Sequence, residues 1–90
     1  MNIVSQAVAG TLESNDVLVQ VGPSPGGIQL EVDSIVLNQF EDQIRQAVLD
    51  TARELGVQSA RIALNDRGAL ECTIKARVET ALRRAGEVSP

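Results

Sequence analysis

The sequence predicts an α+β fold, a two-layer sandwich with a four-stranded, mostly antiparallel sheet and two helices on one face. Three observations predict it. Ile28-Gln29-Leu30-Glu31-Val32-Asp33 alternates apolar and polar residues, the mark of a strand with one wet face. Two later stretches carry apolar residues at helical spacing. The elements follow the order β-β-β-α-β-α, and two amphipathic helices suffice to cover one face of such a sheet.

The first strand is read over Ala7–Leu12, with Val8, Gly10 and Leu12 sharing a face. Ser14-Asn15-Asp16 is turn chemistry, because Asn and Asp side chains bond their own backbone and tolerate left-handed conformations. Val17-Leu18-Val19-Gln20-Val21 is rich in β-branched residues and completes a hairpin, with Val17, Val19 and Val21 on one face. Gly22-Pro23-Ser24-Pro25-Gly26-Gly27 breaks regular structure, and its spacing matches no phosphate-binding loop. The third strand ends at Asp33. Asp33 or Ser34 is then expected to cap a long helix. Its stripe is Val36, Leu37, Phe40, Ile44, Ala47, Val48 and Leu55, with Leu49 on the polar side and Gly56 as a left-handed stop. Ala60–Leu64 is the fourth strand and Asn65-Asp66-Arg67-Gly68 a turn. Leu70, Cys72 and Ile74 alternate like a strand. The longer stripe of Leu70, Ile74, Val78, Ala81, Leu82 and Ala85 predicts a helix over 70–85, with Arg83 and Arg84 favourable in its last turn.

At 90 residues, one domain spanning 1–90 is expected, with 1–5 and 87–90 as loose ends. A chain this size buries about 60–65% of its unfolded surface. With one Phe and no Trp or Tyr, the core must come from Val, Leu, Ile and Ala. Residues 1–60 carry eight acids against two bases, and residues 61–90 carry six bases against four acids. An acidic chain without stacking aromatics disfavours nucleic-acid binding. No apolar run approaches the length of a membrane span. The absence of Lys or Arg before Arg45 speaks against a basic targeting segment, and a single cysteine suits a reducing compartment, so a cytoplasmic location is expected. Histidine is absent, which removes the commonest general base and the commonest metal ligand together. No catalytic residue and no metal ligand is assigned.

Ser14 is the candidate of interest. A hydroxyl at the tip of a hairpin, with no base beside it, is not a triad nucleophile. It can serve as an acceptor that another enzyme modifies, or simply as a turn residue, which is the commoner case for a serine in such a turn. Glu13 and Asp16 flank it, too few for a cation site and more naturally read as solvated acids. Asp33-Ser34-Ile35 resembles the Asp-Ser-Leu triplet on which helical acyl carrier proteins bear phosphopantetheine, but Asp-Ser before a helix is also an ordinary N-cap. Cys72 lies opposite the apolar stripe, with no pKa-lowering constellation around it. Lys75, Arg77, Arg83 and Arg84 read as a solvated face.

Two runs go further. Ala7-Val8-Ala9-Gly10-Thr11-Leu12-Glu13-Ser14-Asn15-Asp16-Val17 resembles the N-terminal signature of the citrate lyase acyl carrier proteins, the γ subunits of that complex. Asn65-Asp66-Arg67-Gly68-Ala69-Leu70-Glu71-Cys72, continuing to Ala76-Arg77-Val78-Glu79, resembles their second signature. The likeness covers about residues 6–85. Asn15 stands where that family often has Gly, and Asn is the next best residue for a tight turn.

The resemblance implies that Ser14 carries a phosphoribosyl-dephospho-coenzyme A group through a phosphodiester. It implies a terminal thiol that bears acetyl and then citryl. It further implies three partners: a prosthetic-group transferase, a citrate lyase α subunit that exchanges acetyl for citrate, and a β subunit that cleaves the citryl thioester. On this reading the chain is a carrier without an active site of its own. The acyl carrier subunit of malonate decarboxylase, with the same prosthetic group on a related serine turn, is the nearest alternative. A non-carrying structural module of a multi-enzyme complex is the other.

Overall fold

The computed structural model describes residues 1–35 and 40–87. Its elements are β1 (Ala7–Gly10), β2 (Val17–Gly22), β3 (Ile28–Ser34), α1 (Glu41–Glu54), β4 (Ala60–Asp66) and α2 (Glu71–Ala85). The fold is α+β, in the predicted order.

The strands lie in the order β1-β2-β4-β3. β1 pairs antiparallel with β2, and β2 antiparallel with β4. β3 pairs parallel with β4, Ile28 facing Ala60 and Ser34 facing Asp66. The sheet is therefore mixed. The reason is the connection: α1 carries the chain from the end of β3 back to the start of β4, and such a crossover joins parallel neighbours.

Period-2 patterning sets the inner face. Val17, Val19 and Val21 of β2 and Ala60, Ile62 and Leu64 of β4 are buried. α2 packs on β1 and β2, and α1 packs on α2 and β3. The helices supply Ile44, Ala47 and Val48 from α1, and Ile74, Val78 and Leu82 from α2. Leu49, read as lying on the polar side, is half-buried. α1 ends as expected. Val57 N–H donates to Ala52 C=O (2.9 Å) and Gly56 N–H to Arg53 C=O (3.0 Å), with Gly56 at φ 69°. This double closure satisfies two carbonyls that the helix end leaves open.

Four expectations change. β1 stops at Gly10, where φ is 91°, and does not reach Leu12. α1 starts at Glu41, and its N-cap is Phe40, which makes no side-chain cap bond. Asp33 and Ser34 belong to β3 and are not the N-cap of α1. They continue β3 because β4 extends to Asp66 and keeps pairing with them. Phe40 is 41% exposed and lies outside the core stripe assigned to it, while Val36 and Leu37 fall outside the described residues. Finally, residues 1–5 are held. Ile3 is buried and bridges Gly86, Val4 and Ser5 N–H both donate to Ala85 C=O, and Glu87 N–H donates to Asn2 C=O.

The topology gathers one end of the molecule. The β1–β2 turn, the ends of β3 and β4, and the starts of α1 and α2 all lie at the same pole.

Candidate functional site

Ser14 sits at that pole, exposed, on the turn between β1 and β2. Asp16 N–H donates to Glu13 C=O (3.2 Å), which closes a four-residue turn with Ser14 and Asn15 at its centre. Asn15 takes φ 66°, a conformation that Asn tolerates better than most side chains. Among the described residues, nothing bonds the Ser14 hydroxyl.

The residues around it are far from idle. Thr11 Oγ1 donates to Asp16 Oδ2 (2.7 Å) across the turn and accepts from Glu13 N–H (3.1 Å). Asp16 Oδ1 also accepts from Val17 N–H (2.8 Å). From α2, Arg77 donates through Nε to Oδ1 (3.1 Å) and through Nη2 to Oδ2 (3.0 Å), a two-point grip. The Thr11 hydroxyl first, then the Arg77 guanidinium and the Val17 amide, hold the Asp16 carboxyl down from its ordinary 3.8 to about 2, against a smaller upward push from burial. Asp16 is thus a fixed anion that several donors share, not the solvated acid expected. Arg77 is likewise a clamp and not part of a solvated face. Gly10 makes room for this packing, since a Cβ there would run into the Val17 carbonyl and crowd the Arg77 Cδ.

The turn also rests on the loop after β4. Asn15 N–H donates to Arg67 C=O (2.8 Å), and Arg67 N–H donates to Asp16 C=O (2.9 Å). That loop is shaped by Asp66, which is 1% exposed. Its carboxylate accepts from Ala69 N–H (2.9 Å) and from the Ser34 hydroxyl (2.8 Å). The two signature runs therefore meet in space, the second forming the seat of the first. Sequence reading placed Ser14 and Asn15 on a turn and singled out both runs. It missed Thr11, Asp66 and Arg77 as supports: the Thr11 hydroxyl meets Asp16 only across the closed turn, and Arg77 lies 61 positions from Asp16 in the chain.

Of the other candidates, Cys72 is exposed on α2, and Glu13 is exposed beside Ser14. The basic residues of α2 are partly occupied: Arg83 pairs with Glu79 (3.4 Å), and Arg84 donates to Val8 C=O (2.8 Å). Among the described residues, no helix is long and apolar enough to cross a membrane.

A small sandwich that displays one braced but chemically unassisted hydroxyl has the character of an acyl carrier protein, and comparisons with known proteins agree. A family model described as "ACP: Malonate decarboxylase delta subunit (MdcD)" matches residues 4–85. The citrate lyase acyl carrier protein of Klebsiella pneumoniae is 50% identical over 88 residues, covering 97% of this chain and 91% of that one. The citrate lyase acyl carrier protein of Treponema denticola is 52% identical over 87 residues, covering 97% and 99%. The chain belongs to the citrate lyase acyl carrier protein family. A solved chain from a Pseudomonas malonate decarboxylase hetero-tetramer in complex with malonate shares the fold, with a TM-score of 0.67, 21% identity, and coverage of 93% of this chain and 87% of that one. Membership of an acyl carrier family implies a covalently attached prosthetic group and enzyme subunits as partners.

Proposed function

We propose that this chain is the acyl carrier subunit of a citrate lyase complex, located in the cytoplasm, and that Ser14 bears phosphoribosyl-dephospho-coenzyme A through a phosphodiester. The observation that supports it most is the contrast at the turn: Thr11, Asp16, Arg67 and Arg77 fix the backbone on both sides of Ser14, while the Ser14 hydroxyl stays exposed. An attachment point needs that combination. The hydroxyl must be accessible to a transferase, and its anchor must be rigid under a long arm.

When bound, the group supplies a thiol, whose thioester is activated for acyl transfer because a thiolate leaves more readily than an alkoxide. The residues of this chain supply position. A tether at a protruding tip raises the local concentration of the acyl group at more than one partner active site. No base, histidine or metal is required of the carrier for this work. The partners are a prosthetic-group transferase and the citrate lyase α and β subunits.

Co-expression with the attaching enzymes, followed by peptide mapping, tests the proposal. The expected result is a coenzyme-sized adduct on the peptide holding Ser14. An adduct on Ser34 instead would move the site. The malonate decarboxylase reading is favoured only by the family model's description and by the shared fold. It is separated by reconstitution: a loaded chain that restores malonate decarboxylation and not citrate cleavage would favour it.

A further inference from the structure

We propose that Arg67 is the residue that binds the phosphate carried by Ser14, its guanidinium pairing with the phosphodiester at the root of the attached arm. The inference rests on Ser14 being the attachment point.

The Arg67 backbone is fixed and its side chain is not. Asn15 N–H donates to Arg67 C=O (2.8 Å) and Arg67 N–H to Asp16 C=O (2.9 Å), so two residues of the Ser14 turn oppose one residue of the loop after β4. With Asn15 at φ 66°, this is the pattern of a β-bulge. Residues opposed across such a pair lie about 5 Å apart at Cα, and Ser14 directly precedes Asn15. An arginine side chain is long enough to span that gap.

The guanidinium has no partner within the described chain. Arg67 is half-buried, and its Nε is buried with no hydrogen bond. Among the described residues, no acid or carbonyl accepts from the rest of the group. A buried N–H of a charged group left unpaired is costly, and in a native fold it calls for an explanation. The other cations are engaged or misplaced. Arg77 holds Asp16, Arg83 holds Glu79, and Arg84 holds the Val8 carbonyl. Arg61 pairs with Gly22, at the far end of β4 from the turn. Lys75 lies two positions from Arg77 on α2, a spacing that puts side chains on different sides of a helix.

Charge explains what Arg67 is for. A phosphodiester is an anion at neutral pH, and attachment would set it between Glu13 and Asp16. Asp16 is already matched by Arg77, but Glu13 is in no ion pair among the described residues and would repel the newcomer. Arg67 offsets that charge. Its planar fork fits two phosphate oxygens at once, which a lysine cannot do. No hydrogen bond holds the guanidinium where it is, so turning it to the phosphate breaks none, and the turn frees Nε from its unpaired position.

NMR of the full-length chain, before and after loading by co-expressed attaching enzymes, tests this. Loading should move the Arg67 Nε–H resonance and slow its exchange with water by roughly tenfold, as one added hydrogen bond does. Arg67→Gln keeps the backbone pairing with Asn15 and Asp16, and in its loaded form the phosphorus resonance should differ from that of the loaded native chain. Loading should also raise the melting temperature of the native chain more than that of Arg67→Gln. Arg67→Lys keeps the charge without the fork, and its phosphorus resonance should fall between the two. Should Arg67→Gln fail to fold, the native chain before and after loading decides alone. Peptide mapping separates the two claims. An adduct at Ser14 with an unmoved Nε–H, or with a phosphorus resonance that Arg67→Gln leaves unchanged, would overturn the role of Arg67, assign its unpaired proton to water, and keep the attachment site. An adduct at another residue, or none, would overturn both.

Discussion

Arg77 grips Asp16 through two parallel hydrogen bonds, Nε to Oδ1 at 3.1 Å and Nη2 to Oδ2 at 3.0 Å, and so ties α2 to the turn that carries Ser14. The Asp16 side chain is 14% exposed and that of Arg77 41%. A planar guanidinium meeting a carboxylate fixes orientation as well as distance. The hairpin tip is thereby held from below, with Ser14 exposed on it.

This pair makes the turn sensitive to acid. Asp16 titrates at about 2 in the folded chain and at about 3.9 in an unfolded one. Folding lowers the value, so the stability Asp16 contributes is complete above about pH 4 and is lost as the pH falls toward 2. Asp16→Asn should be less stable than the native chain at pH 6, with the gap closing by pH 2. Arg77→Met removes one of the groups that lower the Asp16 value, so it should lose less stability than native as the pH falls from about 4 toward 2. Urea unfolding across pH 2–6 reads both effects. A gap that stays constant over that range would show that the Asp16 charge is not involved.

Gly10 should tolerate no side chain. Its φ is 91°, and a Cβ would meet the Val17 carbonyl oxygen. Gly10→Ala should cost about 2–3 kcal/mol or disrupt the hairpin. Gly26→Ala, with nothing within 4 Å of the added carbon, should stay within about 0.5 kcal/mol of native. Equal melting temperatures for the two variants would contradict this account of the turn.

Ser34 should matter for stability and not for attachment. Its hydroxyl donates to the buried Asp66 carboxylate at 2.8 Å, so Ser34→Ala leaves a buried acceptor short of a donor, at a cost of about 1–2 kcal/mol. The loss arises at the Asp66 carboxylate, which shapes the loop that seats the Ser14 turn. Chemical denaturation measures it, and intact mass after co-expression should show normal loading.

Ser14→Ala should fold as the native chain does, because the side chain is exposed. A change within about 0.5 kcal/mol is expected. Citrate cleavage by a reconstituted complex should vanish. Undiminished turnover in that variant would remove Ser14 from the mechanism.

The elements were legible because their signals are local. Alternation at Ile28–Asp33 and the helical stripe at Ile44, Ala47 and Val48 place apolar residues on one face whatever their eventual partner. Asn15 was legible as a turn residue for the same reason, and it does take a positive φ. The start of α1 was misread because Asp33-Ser34 has the composition of a cap while competing for the same residues with a strand partner. Pairing with Asn65 and Asp66 won, and that pairing lies more than thirty positions away. Arg77 and Asp16 were misread as solvated because a charge pair across 61 positions leaves no trace in either local stretch.

By itself the sequence determined which segments are strands and helices, which faces are apolar, and which serine stands at a turn, because propensity and periodicity act over a few residues. Only the tertiary structure decided that β3 runs parallel to β4, that the Asn65–Gly68 loop seats the Gly10–Val17 turn, and that Arg77 anchors it through Asp16. Those contacts join residues distant in the chain, and they exist only once packing of the helices on the sheet has brought the strand ends to one pole.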